Sequence, residues 1–158
     1  MPSPLLSKCA RILAERQLCI ACAESATAGR LSAEFSLTAE SGKILKGGLV
    51  CYDAALKTTL LGIPNALLKR FTPESAEVTA ALAERLPVLI PADIHIAITG
   101  LTTPGGSETP EKPVGTMFID IWYKQQHSAL REVHHGSPEQ IMLSAIESVA
   151  GLLIKLLG

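Results

Sequence analysis

Leu18-Cys19-Ile20-Ala21-Cys22-Ala23-Glu24-Ser25-Ala26-Thr27-Ala28-Gly29 is the stretch that decides the fold. Residues 18–23 form a short, continuous apolar run. Such a run reads as a strand buried on both faces, as in a sheet covered by helices. Ala28, Leu31 and Phe35 then follow at helical spacing, so Ser25 falls in a strand-to-helix turn. A serine there is exposed, and the helix start beyond it offers main-chain N–H groups that favour an anion. The plainer role for Ser25 is to cap the helix.

Working outward, the same alternation of elements repeats. Residues 4–16 place Leu5, Cys9, Ile12 and Leu13 on one helical face. Residues 48–52 read as a second strand opened by Gly47 and Gly48, and Asp53 caps a short helix carrying Lys57 and Leu60. Thr72-Pro73 predicts a helix start, with Thr as N-cap and Pro at the first helical position. In residues 93–100, Ile94, Ile96 and Ile98 alternate with His95, Ala97 and Thr99, the period of a strand. A Gly/Pro loop runs from Leu101 to Pro113, strands are expected over 114–123 and 129–135, and Ser137-Pro138-Glu139-Gln140 opens a final helix as a capping box. The pattern predicts an α/β fold, a three-layer α/β/α sandwich with a mixed sheet, in which residues 1–158 are one domain.

Composition narrows the function. The chain has 158 residues, 47% hydrophobic and 18% charged, with a formal charge of −1. That length buries roughly 70% of the unfolded surface, enough to need no disulfide or metal staple. The charge balance argues against nucleic acid, whose phosphates are held by clustered Lys and Arg. The six aromatics (Phe35, Tyr52, Phe71, Phe118, Trp122, Tyr123) are too scattered to make a base-stacking platform. Charged residues interrupt the apolar runs before about 18 residues, so no membrane contact is expected. With no signal peptide and four cysteines, a reducing cytoplasm is the expected location.

Several side chains carry possible chemistry. Tyr52 at a strand end and Lys57 one turn into the next helix both belong to the carboxyl edge of the sheet, where open α/β folds bind ligands. A lysine serves as general base when burial lowers its pKa; a solvated lysine is the alternative. The loop Thr99-Gly100-Leu101-Thr102-Thr103-Pro104-Gly105-Gly106 brings main-chain amides near a phosphate or carboxylate, unless it is an ordinary surface loop. Lys112 is a candidate partner for a ligand phosphate. Cys19-x-x-Cys22 lies within the apolar run, where residues three apart face opposite ways, so buried structural thiols are expected rather than a redox pair. No metal site is expected, since a second pair of ligands at zinc spacing is missing. A histidine base for Ser25 would have to come from His95, His134 or His135.

Taken together, these motifs resemble the CinA C-terminal domain family, also known as stand-alone nicotinamide mononucleotide deamidases. The likeness runs from about Ser7 to Leu157. The family's Glu-Ser-x-Thr-Gly-Gly turn stands here as Glu24-Ser25-Ala26-Thr27-Ala28-Gly29. Its Gly-Gly-x-x-x-Tyr-x-x-x-x-Lys segment is matched by Gly47, Gly48, Tyr52 and Lys57. Its Thr-Gly-x-x-x-Pro-x-Gly loop and the following Pro-Glu-Lys-Pro-Val-Gly-Thr are matched between Thr99 and Thr116. The resemblance implies hydrolysis of a nucleotide carboxamide to the acid and ammonia, without cofactor or metal. Ser25 would be the nucleophile, Lys57 the base and Tyr52 an orienting or relaying group. Thr27, Gly29, Gly47, Gly48, Thr99, Gly100, Thr102, Gly105, Gly106 and Lys112 would hold the substrate. The helix N-terminus after Ser25 would stabilise the oxyanion. A homodimer is the implied assembly. Relatives often carry a further domain ahead of this one; here the chain opens on its first helix, so that domain is not expected. The chain departs from the pattern at Ala26, Ala28, Thr102-Thr103 and an apparent insertion Ser107-Glu108. It also has Ser137, Pro138 and Met142 in a region where relatives carry arginine. Those departures leave the phosphate to main-chain amides and Lys112, and motivate a second reading, a nucleotide-binding module without turnover.

Overall fold

The structure is a computed structural model describing all 158 residues. Its elements run α1 (Pro4–Glu15), β1 (Ile20–Glu24), α2 (Arg30–Ser36), α3 (Ser41–Ile44), β2 (Leu45–Val50), α4 (Ala54–Leu61), α5 (Asn65–Phe71), α6 (Ala76–Arg85), β3 (Ile94–Gly100), β4 (Thr116–Tyr123), β5 (Gln126–Val133) and α7 (Pro138–Leu157), with a 3-10 turn at Leu86–Val88. The sheet order is β2-β1-β3-β4-β5. β1 is parallel to β2 and β3; β4 is antiparallel to β3 and β5. The α/β architecture with a mixed sheet is the one read from the sequence.

Side-chain alternation explains the layers. Ile20 and Cys22 of β1, Ile94, Ile96 and Ile98 of β3, and Met117, Ile119 and Ile121 of β4 share one face with buried residues of α1, α2 and α7. Ala21, Ala23 and Ala97 line the opposite face against Val78, Leu82 and Ala83 of α6. Large aliphatics on one side and methyl groups on the other make the two interfaces unequal. Each fully buried isoleucine contributes roughly 1.5–3 kcal/mol, so the α1/α7 side dominates the core.

Two sequence expectations need correction. The helix after Thr72-Pro73 starts later: Ser75 is its N-cap, its side chain accepting from Val78 N, while Thr72 has φ 68° and ends α5. β2 runs Leu45–Val50, starting and ending earlier than the 48–52 expected, and it is an edge strand whose burial alternates, as does the other edge, β5. α7 has the length and composition of a membrane-crossing helix. Its residues Ile141, Ala145, Val149 and Leu153 are nevertheless buried in the core. The predicted cap of α7 is present: Ser137 Oγ accepts from Gln140 N, and the Gln140 side chain accepts from Ser137 N.

Candidate active site

The carboxyl ends of the three parallel strands lie side by side, because Glu24 pairs with Val50 on one flank and with Ile98 on the other. Whatever follows β1, β2 and β3 therefore meets at one sheet edge. Ser25 follows β1. Cys51 and Tyr52 follow β2 and lead into α4. The run Leu101–Gly106 follows β3. Sequence neighbours separated by 32 or 75 positions become spatial neighbours through this register alone.

The turn that carries Ser25 is built on Glu24. This carboxylate is buried, at 1% exposure. Its Oε1 accepts from Thr27 Oγ1 at 2.6 Å and from Leu31 N at 2.8 Å, and its Oε2 accepts from Ser32 N at 2.9 Å. Glu24 thus caps α2 from seven residues upstream and supplies the negative charge that the helix N-terminus favours. The backbone on either side is tied to both neighbouring strands: Ser25 N donates to Ile98 O, and Cys51 N to Glu24 O. Ala28 and Gly29 take left-handed φ of 49° and 96°, which turns the chain sharply into α2. The oxyanion role expected of the α2 N-terminus does not fit this arrangement, because its first amides are already taken by Glu24. The N–H groups of Ala26 and Thr27, one step earlier, donate to nothing within the chain.

Lys57 reaches the same turn from α4. Asp53 caps that helix, accepting from Ala55 N at 2.9 Å, and Gly62 closes it in the left-handed conformation. The Lys57 side chain runs through the interior, at 1% exposure, and its Nζ donates to Ser25 Oγ at 3.0 Å and to Cys51 O at 3.2 Å. No carboxylate pairs with it. Burial therefore lowers its pKa below the usual lysine value; the Cys51 thiol and the carboxylates of Glu74 and Asp53 oppose the shift without cancelling it.

Ser25 and Ala26 open onto a cavity of about 180 Å³, completed by Tyr52, Glu74 and the run Gly100–Gly106. Thr102 and Thr103 add two more main-chain N–H groups with no partner in the chain. Gly105 N, in contrast, donates to Glu108 Oε2 at 2.7 Å. Tyr52 stands at the cavity mouth, 61% exposed, and makes no hydrogen bond to Ser25 or Lys57.

Other expected substrate contacts lie elsewhere. Gly47 and Gly48 are inside edge strand β2 and do not line the cavity. Gly48 has a packing reason: a Cβ there would sit 2.6 Å from Ser32 Oγ and 3.0 Å from Cys22 O. Thr99 is buried beneath the cavity, hydrogen-bonded to Thr79 Oγ1 at 2.8 Å. Thr27 spends its hydroxyl on Glu24, and Gly29 serves the turn. Lys112 does not face the cavity. Its Nζ donates to Thr72 Oγ1 at 2.6 Å, Glu74 O at 2.9 Å and Ser107 Oγ at 2.9 Å, fastening two loops together.

The histidines, and the cysteines other than Cys51, lie outside this chemistry. His95 is buried with Nε2 on Ile90 O at 2.7 Å, and His134 meets Glu132 at 3.0 Å. His127 bridges Asp120 at 2.7 Å and Glu84 at 3.3 Å at the far end of the β4–β5 hairpin. Cys22 is fully buried, and burial pushes its thiol up; Cys19 donates to Asp93 Oδ2, and burial and that bond raise it. Two site residues escaped the sequence reading, the structural acid Glu24 and the cavity acid Glu74. For Glu24 the signal was a charged residue ending an otherwise apolar strand. Glu74 carries none, because only the fold brings it to Ser25.

Comparison with known proteins places the chain in a family. The family model for the CinA C-terminal domain matches residues 3–157. The CinA-like protein of Thermotoga neapolitana is 38% identical over 131 residues, covering 83% of this chain and 32% of that protein. A putative competence-damage inducible protein of Moorella thermoacetica is 36% identical over 142 residues, covering 90% of this chain and 34% of that protein. The chain thus spans about a third of the length of these curated relatives. A CinA superfamily protein from Klebsiella pneumoniae superposes with a TM-score of 0.91 at 26% identity, covering 97% of this chain and 95% of that one. One from Escherichia coli superposes with a TM-score of 0.88 at 27% identity, covering 96% and 88%. On the breadth of the family match, which runs over residues 3–157, this chain belongs to the CinA C-terminal domain family.

Proposed function

We propose that the chain is an amidohydrolase that cleaves a primary carboxamide by a serine nucleophile and a lysine base, with nicotinamide mononucleotide as the substrate its family resemblance implies. The observation that carries this reading is the 3.0 Å contact between Lys57 Nζ and Ser25 Oγ, formed where burial favours the neutral amine and the hydroxyl faces a cavity. A lysine held for structure alone would ordinarily be paired with a carboxylate or reach solvent.

In this mechanism neutral Lys57 keeps its bond to the Cys51 carbonyl and turns its lone pair to the Ser25 hydroxyl. Ser25 Oγ attacks the amide carbon while its proton passes to Lys57. The carbonyl π pair moves onto oxygen, and the Ala26 amide, which has no partner in the chain and belongs to the cavity lining, would receive the charge; such a donor is worth roughly 3–4 kcal/mol in the transition state. Lys57 returns the proton to the leaving nitrogen, ammonia departs and an ester to Ser25 remains. Water, deprotonated by Lys57, opens the ester and restores the serine. The balance is one amide and one water consumed, one acid and one ammonia formed. The phosphate is assigned to the unpartnered Thr102 and Thr103 amides of the cavity loop, which keeps the role expected of it, while Lys112, Gly47 and Gly48 do not line the cavity.

The test is ammonia release from nicotinamide mononucleotide by the purified protein. Release is expected, and Ser25→Ala should abolish it. No ammonia above background at millimolar substrate overturns the reading.

A further inference from the structure

The cavity has an acidic wall that the reaction above does not use. Glu74, just before α6, is its one charged lining residue; no Lys or Arg side chain lines it. Glu74 Oε2 accepts from Ser107 Oγ at 2.6 Å, which fixes the carboxylate's orientation, and no ion pair neutralises it. Lys112 does not line the cavity and is committed to Thr72 Oγ1, Ser107 Oγ and the Glu74 carbonyl. Asp53, beside Tyr52, is occupied as the α4 cap. The same cavity presents the ring of Tyr52, largely uncovered. A fixed carboxylate together with an open aromatic face is the combination that holds an organic cation, through charge attraction and through the negative face of the ring.

We infer that Glu74, with Tyr52, is a specificity-determining residue that selects a carboxamide carried on a positively charged ring over the same carboxamide on a neutral ring. This rests on the amidase reading for the identity of the carboxamide, and adds the charge of the group that bears it. A pyridinium ring with its nitrogen alkylated by a sugar carries such a charge permanently. Reducing it to the dihydropyridine removes the charge and leaves the carboxamide, sugar and phosphate unchanged. The two forms therefore differ in the property that Glu74 would sense.

The experiment measures binding by calorimetry in the full chain carrying Ser25→Ala, so that turnover does not intrude. The probes are nicotinamide mononucleotide and its reduced dihydro form. The oxidised form should bind more tightly, and adding Glu74→Gln should lower the oxidised-to-reduced affinity ratio about tenfold, the order expected for one charge acting across a solvent-open cavity. Glutamine keeps the length and still accepts from Ser107, so a purely structural role for Glu74 would leave the ratio unmoved. Glu74→Asp, which keeps the charge, should retain most of the preference. An unchanged ratio in Glu74→Gln, or binding of neither form, overturns the inference. Absence of ammonia release by the Ser25 protein alongside a Glu74-dependent ratio would instead sink the amidase reading and leave the charge selection standing.

Discussion

Replacing Glu24 with glutamine tests whether the nucleophile turn is held by one buried carboxylate. Glutamine has the same shape, so packing is preserved and only the hydrogen-bond chemistry changes. Its single oxygen can stand in for Oε1 and accept from Thr27 Oγ1 and Leu31 N. Its NH₂ then faces Ser32 N–H, and two donors oppose each other where a 2.9 Å bond existed. A bond to a charged acceptor is worth about 1.5–3 kcal/mol, and a buried donor left unpaired costs about 1–3 kcal/mol more. The two surviving bonds weaken as well, because a neutral amide accepts less strongly than a carboxylate. A loss of about 3 kcal/mol is the expected total. For a chain of this length each kcal/mol lowers Tm by about 2–4 °C, so Glu24→Gln should melt about 6–12 °C below the parent. Thermal denaturation followed by circular dichroism measures that shift. Ammonia release should fall by about a hundredfold, because displacing a reacting group by about 1 Å costs that much. A Tm within about 2 °C of the parent, together with undiminished ammonia release, would refute the idea that Glu24 holds the turn.

Four further outcomes follow from the geometry. Lys57→Met should abolish ammonia release yet raise Tm at neutral pH by about 2–4 °C, since it removes a buried amine in favour of an apolar chain of similar length; a lower Tm would contradict the burial argument. The Lys57 pKa is lowered by folding, so between its folded value and the usual 10.5 the unfolded chain binds more protons; stability and ammonia release should both rise with pH through that window, and Lys57→Met should lose this part of the stability slope. Gly48→Ala should destabilise by about 1–3 kcal/mol in urea unfolding, because its methyl meets Ser32 Oγ and Cys22 O in the strand interior; a neutral result would mean that β2 shifts freely. Lys112→Met should lower Tm and weaken substrate binding by loosening the cavity wall, with little change in kcat at saturation, and a large kcat loss would assign Lys112 to the chemistry instead.

Much of the fold was legible in the sequence where local chemistry and tertiary packing agree. The Ile/Ala alternation of β3 survives folding because each face meets a helix of its own. The Ser137–Gln140 capping box is a local device and forms as read. Thr72-Pro73 misled because the dipeptide suits a helix start, yet Ser75 lies three residues on with a better-placed hydroxyl, and Thr72 is drawn instead into the Lys112 cluster. The bounds of β2 were misplaced because Leu45, Lys46 and two glycines open it, a start that no apolar run marks. At the site, Ser25 and Lys57 stood out through the family motifs, since spacing alone left a helix cap and a solvated lysine as the plainer readings. Lys112 was assigned by charge alone, and charge does not reveal which way a side chain turns. Glu74 was invisible for a topological reason: its place beside Ser25 depends on where the chain goes after α5, which no local pattern encodes.

The Lys112 fastening has a mechanical consequence. One ammonium joins the segment at 72–74 to the loop at 107, and the Glu74 carboxylate binds the same serine, so the two walls cannot separate by swinging one of them alone. Widening the cleft would require several contacts to break together, a motion with a steep threshold rather than a soft hinge. The recess is accordingly shaped before any ligand arrives, so the selection proposed above would rest on fit and charge at the rim instead of on a closing movement.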